Sequence, residues 1–166
     1  MNRRFLISFL CAGAMLFATP SANAADWFDF KAIMRTIKHF LFPPPPHYEY
    51  DHRMIRAAEI AEKRAHPKMT WRCWGAVKDA LLEANVISKR PKSPWAKQAG
   101  DELCEKYGFT RIPVRNPYDA PVGAVIVYGG PDAGHVELRS SSGFVSDFVS
   151  RTPYPRPLIV VFVQPT

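Results

Sequence analysis

Two side chains in this sequence combine a reactive group with a setting that favours its reaction: Cys73 and His135. Cys73 stands three residues after Thr70, a residue suited to capping a helix that runs to about Ala84. In the first turn of that helix the sulfur feels the partial positive charge of the exposed N–H groups, which favours the thiolate, and Arg72 adds to the field. A thiolate becomes a useful nucleophile when an imidazole beside it can shuttle a proton. His135 is the candidate, because it opens a β-branched run directly after Gly134 and so projects from a strand where the backbone permits close approach. A third group should accept the other ring N–H and fix the imidazole. Asp147 lies on the next expected strand, after the Ser140–Gly143 turn, and pairing of residue 135 near 147 sets its carboxylate beside the ring. Glu137 is the rival; two residues along the same strand it shares the face of His135, but its side chain points parallel to the ring rather than toward it.

The elements that must position these groups follow from periodicity. Asp51 caps a helix reaching about Ala65, which His66-Pro67 ends, since a residue before proline avoids helical geometry. The Thr70 helix comes next, with Val77 and Leu81 facing inward. A third helix over 94–107 opens with Ser93-Pro94 and closes at Gly108. The pattern then changes to short alternating or β-branched runs, at Val122–Tyr128, His135–Arg139, Phe144–Phe148 and Leu158–Gln164, separated by Gly, Pro, Asp and Ser. Helices first and strands afterwards predict an α+β domain with an antiparallel sheet.

The front of the chain has a different character. Arg3 and Arg4, the apolar run Phe5–Phe17 and Ala22-Asn23-Ala24 together read as a secretory signal peptide over residues 1–24, cleaved on export to the periplasm or beyond. Cys11 sits in the apolar run after Leu10 rather than after a small residue, so it reads as filler and not as a lipid-accepting site. Removing Arg3 and Arg4 takes the formal charge from +7 to +5. That modest excess suits anionic envelope polymers or headgroups, and no nucleic-acid motif accompanies it. Residues 25–46 read as an accessory arm: an amphipathic helix over Asp26–Phe42 that packs on the main domain or lies on a membrane surface, then the stiff spacer Pro43–Pro46. The catalytic domain is then 47–166. His47, Glu49, Asp51 and His52 are metal-capable, but their spacing matches no zinc signature, and no cofactor is called for.

In their order along the chain, four segments resemble the NlpC/P60 and CHAP peptidases, papain-like cysteine hydrolases of the bacterial cell wall. They are Arg72-Cys73-Trp74-Gly75-Ala76-Val77, Val122-Gly123-Ala124-Val125-Ile126-Val127-Tyr128, Gly134-His135-Val136-Glu137-Leu138 and Gly143-Phe144-Val145-Ser146-Asp147. The resemblance implies a papain-like α+β fold, Cys73 as nucleophile, His135 as general base and acid, and Asp147 as the orienting residue. It also implies the peptide stems of peptidoglycan as substrate and an acyl-enzyme as intermediate. The chain departs from the pattern at Arg72 and Trp74, where the families often carry an acidic or amide residue and a serine, and at Gly123-Ala124 in place of Gly-Asp. For the oxyanion, the backbone N–H of Cys73 is the donor that can be named. Trp71, Trp74 and Trp95 either line the cleft or fill the core.

A second reading stays open beside the enzyme. Cys73 and Cys104 are the cysteines left after export, and an oxidising compartment favours their pairing as a disulfide. The fold would then be an inactive module docking on cell-wall or envelope partners.

Overall fold

The computed structural model describes residues 30–37 and 47–166. The expected signal peptide, the proline spacer and the ends of the 26–42 helix fall outside the described residues. The chain divides into two units between Pro44 and Pro45. In the first, helix α1 spans residues 30–37, and Phe30, Ile33, Met34 and Ile37 on it are exposed. Among the described residues no helix is long and apolar enough to cross a membrane.

The second unit holds α2 (Arg53–Arg64), α3 (Cys73–Glu83) and α4 (Ala99–Tyr107), followed by six strands. These are β1 (Thr110–Ile112), β2 (Val125–Tyr128), β3 (His135–Arg139), β4 (Phe144–Val145), β5 (Val149–Ser150) and β6 (Leu158–Val163). They form one antiparallel sheet in the order β1-β6-β2-β3-β4-β5. The fold is thus the α+β arrangement of leading helices on an antiparallel sheet. Strand β1 has three residues, two of them exposed, which is too short to show an alternating pattern in sequence.

Each helix begins and ends for an identifiable reason. Asp51 serves α2 from one position further out than expected: its Oδ1 accepts the Arg53 N–H at 2.8 Å. Helix α3 does not start with a Thr70 cap. Its N-cap is Arg72, without a side-chain cap of its own, and Cys73 is its first residue. The third expected helix is a 3-10 turn over Ala96–Gln98 leading into α4, which Gly108 closes in the left-handed conformation at φ 74°.

The core joins helices and sheet in one buried cluster that includes Met54, Ala57, Val77 and Leu81 from the helices and Val125, Val127, Val136 and Leu138 from the strands. Contact between α2 and the sheet is close enough to demand a glycine. A Cβ on Gly123, at φ +95°, would come within 2.7 Å of the Met54 carbonyl carbon. Strand β2 is buried along its whole length, hence its unbroken apolar run Val125-Ile126-Val127. Buried polar contacts fix the approach to α4. Glu102 accepts the N–H groups of Lys92 and Ser93 at 2.8 Å each, while Ser93 takes the Trp74 indole N–H on its carbonyl and hydroxyl oxygens. Burial alone would raise the Glu102 pKa; these hydrogen bonds and the one from Lys106 overcome it and hold the carboxyl at about 2.

Candidate active site

Helix α3 brings Cys73 to the floor of a cleft of about 330 Å³, and β3 delivers His135 to its wall. Gly134 makes the approach possible: at φ +74° a Cβ there would meet the Tyr128 carbonyl oxygen at 2.7 Å. The imidazole is nearly sealed from solvent, 3% exposed, and stacks on Tyr154 with ring centres 3.8 Å apart and planes 18° from parallel. Desolvation by itself would push its pKa down. The Cys73 sulfur comes next in size, followed by Glu137, and the hydrogen-bonding and charge effects of the two hold His135 up at about 9. Cys73 and His135 are therefore brought together, as the sequence predicts. Cys73 and Cys104 are both free thiols, so the alternative pairing is not formed.

The ring's far nitrogen meets Glu137, not Asp147. Glu137 Oε2 lies 3.5 Å from His135 Nε2. That separation is a charge–charge contact; Nε2, though fully buried, has no hydrogen bond of normal geometry. With Nε2 facing Glu137, exchange of a proton with Cys73 falls to Nδ1. Glu137 reaches the ring because its other oxygen is pinned behind it. Oε1 accepts the Tyr128 hydroxyl at 2.5 Å and the Tyr154 N–H at 3.3 Å. The carboxylate is 2% exposed, and among the described residues these donors and the imidazole are the polar groups that face it. Desolvation first, then the Glu137 charge and hydrogen bond, raise the Tyr128 pKa far enough to keep the phenol a permanent donor.

Asp147 stands elsewhere. The β3–β4 ladder pairs Leu138 with Val145 and Arg139 with Phe144, which on continuation sets residue 148, not 147, opposite 135. A slip of one residue turns a side chain to the opposite face. Asp147 Oδ2 accepts the Thr70 hydroxyl at 2.7 Å, the Thr70 N–H at 2.6 Å and the Arg72 N–H at 3.2 Å. Oδ1 accepts the Ser146 hydroxyl at 3.1 Å. Burial would raise its pKa, but these hydrogen bonds outweigh that and lower it. Asp147 thus supplies the cap that α3 lacks, from a residue far along the chain. The two N–H groups it binds flank Trp71, whose φ of 65° is strained for a bulky residue and whose side chain is 80% exposed at the cleft rim. Trp74 is buried and belongs to the core, whereas Trp95 is half exposed.

Two contributors are absent from the sequence reading, Tyr128 and Tyr154. Tyr128 was legible in principle, since a hairpin that opens at His135 pairs it with Tyr128 across the Gly129–Gly134 connection. Tyr154 lies in an irregular segment with no periodicity to place it. No group of three or more metal-capable side chains comes together among the described residues.

Neither a family model nor a curated protein matches the chain. Among solved structures it is similar to a chain of the type VI native effector–immunity complex Tae3–Tai3 from Ralstonia pickettii. That likeness has a TM-score of 0.56 and 25% identity, covering 72% of this chain and 100% of that one. With the helices-then-sheet order and the cysteine and histidine at one cleft, the fold of this chain is α+β of the papain-like type.

Proposed function

We propose that this protein is an exported cysteine hydrolase that cleaves amide bonds in the peptide part of peptidoglycan, with Cys73, His135 and Glu137 as its reacting and orienting groups. The observation that carries the reading is the setting of His135, sealed between a free thiol and a buried carboxylate that together hold its pKa at about 9. An imidazole so placed is cationic at neutral pH and stands ready as a general acid. The proton on the imidazolium is the one Cys73 has given up, so the sulfur attacks the amide carbonyl as the thiolate and His135 passes that proton to the departing amine. Water, deprotonated by the then neutral imidazole, cleaves the resulting thioester and restores the pair. The N–H of Cys73 is the donor available to the oxyanion, since a first-turn amide has no intrahelical acceptor and the Arg72 N–H is taken by Asp147.

The resemblance of the sequence segments to NlpC/P60 and CHAP enzymes supports the substrate class, and residues 1–24 support export. Likeness to a chain of an effector–immunity complex supports a further partner class, an immunity-type protein. Residues 26–42 give the chain a means of peripheral membrane contact.

The test is to incubate the purified protein and its Cys73→Ala form with peptidoglycan and follow released fragments by mass spectrometry. New amine and carboxyl termini within the peptide stems, absent with Cys73→Ala, are expected. Intact stems after exposure to the cysteine-bearing protein would reject the reading and leave an inactive binding module.

A further inference from the structure

Arg72, where the resembling families often carry an acidic or amide residue, is a departure that the hydrolytic machinery does not explain. Its backbone N–H is used by Asp147, but its guanidinium makes no hydrogen bond or ion pair among the described residues, and the side chain is exposed. Arg72 borders the reaction cleft and also a second cavity of about 270 Å³. The two cavities share Arg72, Gly75 and Asp147. Gly75 leaves the ridge between them without a side chain, on the same helical turn as Cys73.

The second cavity is basic in a specific way. Arg64, Arg72, Arg90 and His66 line it, with Asp79 and Asp147 as the acidic members. Arg64 is paired with Glu83, and Arg90 Nε with Asp79 at 2.6 Å. The Asp147 carboxylate is spent on the N–H groups of Thr70 and Arg72 and the hydroxyls of Thr70 and Ser146. Asp147 keeps its negative charge but is buried, so among the described residues Arg72 is the exposed charge of this cavity without a partner of its own.

We propose that this second cavity is a carboxylate-binding subsite, in which Arg72 selects stem peptides bearing a free carboxylate within about a residue of the bond held over Cys73. The inference rests on the hydrolytic reading above and names what that site prefers. A peptide crossing the ridge at Gly75, beside the Arg90 guanidinium, presents its anionic group to the Arg72 guanidinium, which has no competing partner among the described residues. A planar, two-pronged donor suits a carboxylate better than an ammonium does.

The experiment uses the Cys73→Ala protein and two synthetic stem peptides that differ only in whether that carboxylate is free or amidated, with affinity read by calorimetry. The free acid should bind about tenfold more tightly, the scale of one charge-assisted contact. Arg72→Gln should bring the two peptides to within about twofold, and Arg72→Lys should restore part of the preference. Equal affinity for the two peptides, a preference unchanged in Arg72→Gln, or no binding of either would overturn the subsite. Turnover by the cysteine-bearing protein separates the two readings. Cleavage without carboxylate preference rejects the subsite and keeps the hydrolase; preference in the Cys73→Ala protein without any cleavage rejects the hydrolase and keeps the subsite.

Discussion

Tyr128 and Glu137 share a 2.5 Å hydrogen bond inside the sheet, with both side chains almost closed to solvent. The phenol holds one carboxylate oxygen and thereby turns the other toward His135 Nε2. Tyr128→Phe removes the donor and leaves Glu137 buried with only the Tyr154 N–H on that oxygen. Stability should fall by about 1.5–3 kcal/mol, read from denaturant melts. The rate should fall with KM little changed, since the carboxylate no longer fixes the ring. A variant as stable as the parent would show that the pair is not compensating a buried charge.

Glu137→Gln and Asp147→Asn should separate orientation from capping. Loss of the orienting carboxylate costs up to about 10⁴ in kcat in the serine-protease triad, and Glu137→Gln is expected to cost at least about a hundredfold here. Asp147→Asn weakens the acceptor for the Thr70 and Arg72 N–H groups and should act chiefly on stability, by about 1–2 kcal/mol as for other lost caps. Turnover at saturating substrate and thermal melting of both variants decide the matter. If Asp147→Asn alone abolishes turnover in a stably folded protein, the orienting role returns to Asp147.

The His135 pKa of about 9 gives kcat/KM an alkaline limb near that pH, because the general acid is lost as the ring deprotonates. Removing the Glu137 charge should bring the limb down by about one unit or more. A limb that stays put in Glu137→Gln would mean that some other group titrates.

Stability should follow pH through the same groups, with opposite signs at the two ends. His135 is raised from 6.5 to about 9, so the stability it contributes is complete below 6.5 and disappears as pH rises through 9. Glu102 is lowered from 4.5 to about 2, so its contribution is complete above 4.5 and disappears as pH falls through 2. Chemical denaturation across pH should therefore show a fall at each end, the alkaline one flattened by His135→Ala and the acid one by Glu102→Gln.

A protein beginning at His47 should fold and melt close to the full chain. Tyr48 and Tyr50 pack on the core, the Tyr50 hydroxyl binds the Val122 carbonyl at 2.7 Å, and the Asp51 N–H binds the Gln164 carbonyl at 2.8 Å. One beginning at Arg53 loses all of these and should melt well below it. Equal melting of the two shorter forms would remove residues 47–52 from the domain.

What was legible in the sequence is what local pattern dictates. Strand β3 has the predicted bounds because Gly134 and Ser140 bracket an alternating run, and α4 ends at Gly108 because only that residue takes φ 74° without strain. Cys73 and His135 could be paired from their places at a helix start and a strand start. The third group was not accessible in the same way, because the register set across the Ser140–Gly143 turn puts position 148, not 147, opposite 135. A deviation of one residue across a turn leaves no trace in composition or period, yet it exchanges the roles of two carboxylates. The Thr70 cap fails similarly: the sequence offers a local hydroxyl, and the fold uses a carboxylate 77 residues away.

That distance sets an order of events in biosynthesis. Cys73 leaves the ribosome long before His135, and before the Asp147 that ties down the N–H groups of Thr70 and Arg72. Tyr154, the ring that lies flat on the imidazole, comes later still. A chain interrupted before His135 carries a thiol without its partner, and one interrupted before Asp147 lacks the acceptor for the Thr70 and Arg72 N–H groups. The site around His135 is therefore complete only once nearly the last segment has emerged, and loss of the chain from Tyr154 onward removes the ring that lies on the imidazole.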